Sequence, residues 1–486
     1  MAPEIKYNKI FIDNQWVEAV TGKTFETFNP HDGATIATVA EGDKEDINAA
    51  VKAAKRAFHR NSEWRLMDAS QRGKILNKFA DLVERDADYL AELETYNNGM
   101  VLSMCRRFIG ASAYHIRYNA SLADKIQGST IPCDGDAFSY TLKQPVGVCG
   151  LILPWNVPML MFISKVTTAL AAGCTVVVKP AEQTPLTALA LAALLAEAGM
   201  PPGVVNVVPG FGETAGATLT HHPDVALISF TGSLEVGKLI QQAAGTNNLK
   251  RVVLELGGKS PLVIMNDADL NKAIPYAAQA VFLHQGQVCI AASRLFVQAE
   301  IYDKFVQKAV EVAKSWKIGN PFLETSQNGP QIDETMMNKV LGYIEKGKSE
   351  GAKLLTGGKR IGTTGFYIEP AVFADVKDDM AIAKEEIFGP VQSIFKFNTL
   401  EEAIDRANAT NYGLAAGIFT SSIETALQFS KHVEAGNVWV NTYLHHGPQL
   451  PFGGFKESGI GRENGLDAVN SYLEVKTVTI SLPKKV

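Results

Sequence analysis

The chain has 486 residues, enough for two or three domains that each bury a substantial core. Hydrophobic residues make up 46% and charged residues 20%, and 46 basic against 51 acidic residues leave a net charge of −5. These values are typical of a globular protein. With no Lys/Arg-rich block and no apolar run near the ~18 residues that span a bilayer, we expect neither a nucleic-acid partner nor a membrane segment.

The cysteines are few, odd in number and far apart: Cys105, Cys133, Cys149, Cys174 and Cys289. This pattern argues against a disulfide framework and favours a reducing compartment. No Cys/His cluster has the spacing of metal ligands, so we expect no metal site. The first residues contain neither an apolar signal core nor an Arg/Ser-rich transit segment. We therefore expect the protein to lie in the cytoplasm.

The first 145 residues begin with short strand-like pieces and continue with helices. The strand-like pieces are 9–12, 16–17 and 24–28, and the helical periodicity covers 44–58 and 72–83. Residues 138–146 alternate between apolar and polar side chains as a β-strand does. This alternating segment predicts a protruding hairpin arm between the helical part and the strands that begin at residue 146.

The next part, 146–256, alternates strands with helices. Strand-like runs occur at 146–153, 174–178, 204–208, 226–230 and 252–256. A helix between the second and third runs has Thr184 as its predicted N-cap, Pro185 in its first turn and Gly199 at its end. Another helix covers 235–244. The alternation predicts a parallel, doubly wound sheet.

The same alternation continues over 257–457 and predicts a second α/β domain. The strand 261–264 is followed by helices at 270–282, 302–314 and 335–350. Near the end of the chain, residues 471–482 alternate again and look like an edge strand that needs a partner.

One cysteine stands in an unusual local sequence. Cys289 follows Gly286 and Gln287 and precedes the strand-like run 295–298. On this segment alone, the commonest interpretation remains a small buried core thiol. A glycine-broken polar loop also suits a side chain that is presented to a cleft.

A carboxylate closes the apolar strand at 252–256. Glu255 is followed by Gly257 and Gly258, and a carboxylate at an apolar strand end is costly unless it has a partner or a chemical role. A buried ion pair is the alternative to a catalytic base. A thiol nucleophile and a carboxylate base at the ends of β-segments together indicate covalent catalysis.

Several segments, in order, resemble the aldehyde dehydrogenase superfamily over nearly the whole chain, in particular its NAD-dependent, hydrolytic cytosolic, retinal and aromatic branches. One such segment alone is weak evidence, whereas six or more in family order are strong evidence. The matching segments are 154–156 (Pro-Trp-Asn), 179–182 (Lys-Pro-Ala-Glu), 230–233 (Phe-Thr-Gly-Ser), 254–261 (Leu-Glu-Leu-Gly-Gly-Lys-Ser-Pro), 282–291 around Cys289, 385–390 (Glu-Glu-Ile-Phe-Gly-Pro) and 451–459 (Pro-Phe-Gly-Gly-Phe-Lys-Glu-Ser-Gly).

The resemblance implies a coherent set of catalytic roles. Cys289 attacks the aldehyde carbon, and the resulting oxyanion is held by the Asn156 amide and the Cys289 backbone N–H. After hydride transfer leaves a thioester, water activated by Glu255 hydrolyses it. Taken alone, Asn156 could also be an ordinary turn residue between Pro154 and Pro158.

The resemblance also implies NAD as the cofactor. The segment 210–216 has one residue too many for the standard GxGxxG pattern, so its spacing alone favours an ordinary strand–turn–helix. A carboxylate at Glu182 accepts from a free ribose 2′-OH and repels a 2′-phosphate, which favours NAD over NADP. The implied cofactor residues are Leu153, Pro154, Trp155, Asn156, Lys179, Glu182, Gly212, Gly216, Phe230, Gly232, Ser233, Val236, Leu256, Glu386 and Phe388.

We therefore expect an α/β fold with two doubly wound parallel-sheet domains, a variant Rossmann cofactor domain and a catalytic domain, plus a small β oligomerisation arm. The predicted bounds are 1–126 and 146–256 for the NAD-binding domain, 257–457 for the catalytic domain, and 127–145 and 471–486 for the oligomerisation strands. In the family an arm and a C-terminal strand pair across subunits. The resemblance thus implies a homotetramer built from dimers, with a dimer as the fallback.

The tunnel positions indicate the size of the substrate. Relatives that prefer short aldehydes line the tunnel with bulky aromatic side chains, whereas Val157 and Ser164 are small. This predicts a wide tunnel for a medium-to-bulky hydrophobic aldehyde, unless Met161 or Phe452 refills the space. The predicted tunnel residues are Val157, Met161, Ser164, Leu283, His446 and Phe452.

Two other functions remain open on the sequence. A CoA-acylating semialdehyde dehydrogenase would pass the thioester to CoA, but such relatives generally lack the base that Glu255 supplies. A non-catalytic structural protein like some lens crystallins would not need the intact set of Cys289, Glu255 and Asn156.

Overall fold

The computed structural model describes residues 2–483. Within that range, twenty strands form four sheets. None of the helices in it is long and apolar enough to cross a membrane. The last three residues of the predicted oligomerisation segment 471–486 lie outside the described part of the chain.

The first 255 residues contain eleven strands and nine helices. The N-terminal part contains β1 (Ile10–Ile12), β2 (Gln15–Val17), β3 (Thr24–Phe28), β4 (Thr35–Ala40), α1 (Lys44–Ala57), α2 (Glu63–Leu66), α3 (Ala69–Arg85), α4 (Ala87–Asn98), α5 (Leu102–Leu122), β5 (Thr130–Ile131) and β6 (Ala137–Pro145). The next part contains β7 (Val148–Ile152), α6 (Pro158–Ala172), β8 (Thr175–Lys179), α7 (Leu186–Glu197), β9 (Val205–Val207), α8 (Ala217–His221), β10 (Val225–Thr231), α9 (Leu234–Thr246) and β11 (Arg251–Glu255).

The remaining elements include the strands of the second large sheet and the helices that connect them. They are β12 (Pro261–Ile264), α10 (Leu270–Phe282), β13 (Arg294–Gln298), α11 (Tyr302–Ser315), α12 (Glu334–Ser349), β14 (Lys353–Thr356), β15 (Ala371–Ala374), α13 (Ala381–Lys384), β16 (Val391–Phe397), α14 (Leu400–Asn408), β17 (Ala415–Phe419), α15 (Ile423–His432), β18 (Asn437–Val440), β19 (Gly459–Ile460), α16 (Gly465–Ser471) and β20 (Leu473–Ser481).

The first large sheet has the strand order β19-β11-β10-β7-β8-β9-β1-β2. Its five central strands are parallel and are joined by helical crossovers, as the alternation over 146–256 predicted. Every residue of β7 and β8 is buried because helices cover both faces of the sheet. The edges are antiparallel: β1 and β2 close one side and β19 the other. The sequence predicted these short N-terminal strands but not the sheet that they join.

The second large sheet has the order β14-β15-β16-β13-β12-β17-β18. All its pairs are parallel except that of β14 with β15 at one edge. The chain passes from the first sheet to the second through residues 256–260. The carboxyl end of β11 therefore faces the amino ends of β12 and β13, which is the border where the predicted catalytic residues lie.

The two segments that looked like edges without partners pair with each other. β20 runs antiparallel to β6 from Leu473 opposite Pro145 to Ser481 opposite Ala137, and β5 lies on the other side of β6. Each strand thus has its partner within the chain, because their matching length and alternation satisfy one another.

The prediction of Thr184 as the N-cap of α7 is wrong. The Thr184 hydroxyl is buried without a hydrogen-bond partner, and the helix begins at Leu186, with Pro185 at its N-cap position. The free Leu186 N–H donates instead to Asn97 Oδ1 from α4, at 3.2 Å. A tertiary contact thus replaces the local cap, which local sequence could not reveal. Gly199 does stand just beyond the helix, with φ of +95°.

Candidate active site

The loop before β13 presents Cys289 through an unusual backbone path. His284, Gln285 and Gly286 all have positive φ, at 49°, 59° and 71°. A Cβ at Gly286 would lie 2.2 Å from the Gly389 carbonyl oxygen, so only glycine fits there. Buried polar contacts hold this strained path, among them Ile332 N–H donating to Gln287 Oε1 at 2.9 Å.

The Cys289 thiol and the Glu255 carboxyl influence each other's proton affinity. Burial raises the pKa of Glu255 to about 8, with a further increase from the negative charge of Glu463, while a hydrogen bond with Cys289 and the charge of Lys165 act in the opposite direction. Burial, followed by the nearby charge of Glu255, raises the pKa of the Cys289 thiol well above its ordinary value. The pair therefore rests as a neutral thiol beside a largely neutral carboxyl at neutral pH.

A buried ion pair that the sequence analysis missed lies next to this site. Lys165 Nζ donates to Glu463, and to Ser229 Oγ at 2.9 Å. The signal was present in the sequence, because Lys165 is the one charged residue of the mostly apolar segment that forms α6. Its partner is almost 300 residues away in the chain, so only the fold reveals the pair.

Asn156 lies between β7 and α6 and points at the cysteine loop. Its side-chain Nδ2 donates to the Gln287 carbonyl at 2.9 Å, two residues before Cys289. The Asn156 backbone carbonyl accepts from His284 Nε2 at 2.8 Å and from Asn98 Nδ2 at 3.2 Å. Burial lowers the pKa of His284 to about 4, so its ring is neutral. The Asn156 turn is thereby tied to the loop that carries Cys289.

The predicted ribose-side residues follow β8. Lys179 ends this strand, and its buried Nζ contacts Glu182 Oε2 at 3.1 Å. Leu153 N–H donates to the Lys179 carbonyl at 3.0 Å, which brings the end of β7 and the Pro154 turn alongside. A π-helical turn, Gly212–Gly216, leads into α8, and a side chain at Gly212 would meet open space.

The other predicted cofactor residues surround the start of α9 and the end of β11. Ser233 Oγ accepts from Val236 N–H at 3.3 Å and caps α9, while Gly232 N–H donates to the Glu255 carbonyl at 3.1 Å. Phe230 is the penultimate residue of β10, and its ring occupies the space where a Gly232 side chain would lie. Leu256 packs on α9 at Gly237.

Across the border, Glu386 and Phe388 reach the same region from the second sheet. Glu386 Oε1 accepts from Gly258 N–H at 3.1 Å, and its other oxygen covers Gly257. Phe388 packs edge-on against Trp155 with ring centroids 5.3 Å apart. Three features fit a dinucleotide. The capped start of α9 suits its phosphates, the open glycine turn allows the backbone to approach it closely, and the half-buried Glu182 carboxylate suits a ribose.

The predicted tunnel residues form two groups. Val157, Met161 and Leu283 are half-buried against the core of the first sheet. His446 and Phe452 contact each other with ring centroids 5.5 Å apart, and Phe452 packs with Cys289 on the core of the second sheet.

Ser164 lies deeper than the other tunnel residues. It is buried, and it lines a narrow cavity together with Lys165 and Glu463. Val157 precedes α6 as its N-cap residue, whereas Ser164 lies within the helix.

Comparison with known proteins shows the family of the chain. Residues 16–478 match the model of the aldehyde dehydrogenase family. Aldehyde dehydrogenase 1A1 of Gallus gallus is 57% identical over 483 residues, covering 99% of this chain and 95% of that protein. The mitochondrial aldehyde dehydrogenase of Homo sapiens is 56% identical over 485 residues, covering 99% and 94%.

The solved structures give the same result for the fold. The NAD⁺ complex of an aldehyde dehydrogenase from Bacillus cereus is 44% identical, has a TM-score of 0.97, and covers 99% of this chain and 100% of that chain. Family match, identity and fold extend over nearly the whole length. The chain therefore belongs to the aldehyde dehydrogenase family.

Proposed function

We propose that this chain oxidises a medium-to-bulky hydrophobic aldehyde to its carboxylic acid with NAD⁺ and water. One observation carries the proposal: a thiol, a carboxyl and a side-chain amide converge at the border of the two sheets, on Cys289, Glu255 and Asn156. Nucleophile, base and oxyanion donor are the groups that aldehyde oxidation through a thioester needs.

The proposed reaction starts when the Cys289 thiol passes its proton to solvent water and the resulting thiolate attacks the aldehyde carbon. The carbonyl oxygen becomes an oxyanion in a thiohemiacetal, and an N–H of the Asn156 amide and the Cys289 backbone N–H stabilise it. The hydride of this carbon would pass to bound NAD⁺, and the carbon would stay bonded to sulfur as a thioester. Glu255 then takes a proton from water, whose oxygen attacks the thioester carbon. The carbon–sulfur bond breaks, the acid is released, and the departing sulfur takes the proton from Glu255 to restore the thiol.

The residues proposed to hold NAD⁺ lie at the strand ends and the helix start of this site. Lys179 and Glu182 would bind ribose hydroxyls, the N-terminus of α9 at Ser233 would face the pyrophosphate, and Glu386 would bind the nicotinamide ribose. The half-buried Glu182 carboxylate supports NAD over NADP, because it repels a 2′-phosphate. The similar Bacillus cereus structure, an NAD⁺ complex, gives the same cofactor class.

We propose further that the protein is a homotetramer built from dimers and works in the cytoplasm. The face of the β20-β6-β5 sheet that carries Phe138, Leu142 and Ile480 leaves these apolar side chains between 39% and 47% exposed. An apolar sheet face of this kind is typical of a subunit contact. All five cysteines are free thiols, which supports a reducing compartment.

The first prediction separates the two chemical steps. Glu255→Gln should give a burst of NADH that matches the number of active sites and then stall, because the thioester forms but water is not activated. Cys289→Ala, the control, should bind NAD⁺ and give no burst. Stopped-flow absorbance with and without CoA measures both. A slow rate without a burst in Glu255→Gln would place this carboxyl at an earlier step.

The second prediction concerns pH. Glu255 is a base only when ionised, and its pKa of about 8 means that the hydrolysis rate should rise with pH through about 8 and then level off. Glu463→Gln removes a negative charge that raises this pKa, so its inflection should move to lower pH. The rate after the burst, recorded from about pH 6 to about pH 10, measures this. An unmoved inflection would contradict the electrostatic account.

The third prediction concerns substrate size. Each buried methylene contributes ~0.8 kcal/mol, so kcat/KM should favour phenylacetaldehyde, citral, decanal or retinal over acetaldehyde by more than about tenfold. Val157→Phe narrows the space before α6 and should shift the preference towards acetaldehyde. Wild-type enzyme that uses acetaldehyde as efficiently as the larger aldehydes would refute the wide tunnel and leave the catalytic residues unaffected.

The fourth prediction concerns assembly. Ile480→Glu should dissociate the native oligomer, because it places a charge on the apolar face of the small sheet. Thr477 lies on the opposite face of the same strand, so Thr477→Glu should leave the oligomer intact. Multi-angle light scattering measures both. Monomeric wild-type protein, or equal behaviour of the two variants, would refute this interface.

A further inference from the structure

The C-terminal end of α4 carries four buried polar side chains, and three of them contact other segments near the site. Glu94 and Asn97 are 1% exposed and Asn98 is 0% exposed, and the helix ends at Gly99 with φ of +82°. Buried polar groups persist only where hydrogen bonds compensate for the lost water. The partners of these three side chains lie mainly in the two loops that hold proposed active-site residues.

Asn98 holds the turn that presents the Asn156 amide. Its Nδ2 donates to the Trp155 carbonyl at 2.6 Å and to the Asn156 carbonyl at 3.2 Å. Its Oδ1 accepts from Met100 N–H at 3.1 Å, which fixes the amide orientation. Both N–H groups of the Asn98 side chain therefore donate to the two peptide units on either side of the Asn156 Cα.

Glu94 holds the other end of the same turn. Its Oε1 accepts from Met159 N–H at 3.1 Å, in the first turn of α6. That helix begins after Val157, which has no side chain able to cap it. Glu94 thus supplies the missing cap from another helix, where the positive end of the helix dipole favours a carboxyl oxygen.

Asn97 contacts the other loop. Its Nδ2 donates to Thr27 Oγ1 at 2.8 Å and to the Gln183 carbonyl at 3.1 Å, and its Oδ1 accepts from Leu186 N–H at 3.2 Å. Thr27 Oγ1 donates to the same Gln183 carbonyl at 2.8 Å. These contacts hold the residues immediately after Glu182 in place. The neighbouring residues Asn97 and Asn98 of α4 therefore bind two different loops, the one after Glu182 and the one that carries Asn156.

We propose that Asn98 and Glu94 are positioning residues for the Asn156 oxyanion donor, and that Asn97 positions the loop of Glu182. This inference rests on the proposed function, since it takes Asn156 as the oxyanion donor and Glu182 as a ribose ligand. Reaction geometry is sensitive to displacements of about 1 Å, so loosening the Asn156 turn slows formation of the thiohemiacetal far more than it weakens cofactor binding.

Two matched variants test the division of roles. Asn98→Ala should slow the NADH burst by about tenfold or more at saturating NAD⁺ and change the Kd for NAD⁺ by less than about threefold. Asn97→Ala should weaken NAD⁺ binding by about tenfold while its burst rate at saturating NAD⁺ stays within about threefold of wild type. Nucleotide fluorescence gives the Kd and stopped-flow absorbance gives the burst.

Asn119→Ala controls for the loss of any buried asparagine. Asn119 Nδ2 donates to Thr167 Oγ1 at 2.8 Å and Thr168 Oγ1 at 3.1 Å, far along α6 from the turn. This variant should lower Tm without changing the burst rate or the Kd. Glu94→Gln keeps an oxygen for Met159 N–H and should retain the burst rate that Glu94→Ala loses.

A double-mutant cycle shows whether Asn98 acts through Asn156. Asn98→Ala should add little to the slow burst of Asn156→Ala, because the donor that it positions is already absent. Additive losses, or equal effects of Asn97→Ala and Asn98→Ala on burst and Kd, would overturn the inference. If Asn156→Ala itself keeps a normal burst, the proposed function of Asn156 fails instead.

Discussion

The site depends on the burial of the Glu255 carboxyl against the Cys289 thiol. Removal of both groups from water disfavours their charged forms, and the negative charge of Glu255 further disfavours the thiolate, whereas the hydrogen bond with Cys289 partly favours the carboxylate. The thiol of the resting enzyme is therefore neutral and less reactive than a thiolate. A charge develops on this pair only when a reaction step draws it out, so the two residues alternate in their roles rather than ionising together.

The scaffold holds this pair by constraints that come from distant parts of the chain. The cysteine loop has a left-handed backbone at Gly286, where only glycine fits because any side chain would collide with the Gly389 carbonyl. The opposite side of the site is a turn between β7 and α6 that has no local cap and is held by α4. Each catalytic group is thus positioned by residues that do no chemistry, which keeps reacting atoms in place at the border of two sheets.

The sequence predicted much of the fold and the chemical centre. The bounds of Pro261–Ile264 and Leu270–Phe282 agree with the prediction, because apolar periodicity and caps determine them locally. The pairing of β20 with β6 and the cap that Asn97 gives to α7 were not predicted, because both depend on contacts between remote segments. Lys165 was visible as a lone charge in an apolar helix, but its partner Glu463 required the fold.

The most direct test of the coupling between Glu255 and Cys289 is the rate at which Cys289 reacts with iodoacetamide as a function of pH. The rate measured for Cys289→Ala is subtracted, because it reports the other thiols. The wild-type rate should rise only above the pH range of an ordinary thiol, and Glu255→Gln should shift that rise to lower pH, because it removes the neighbouring negative charge. A wild-type thiol that reacts fully near neutral pH, with a profile that Glu255→Gln leaves unchanged, would contradict the account.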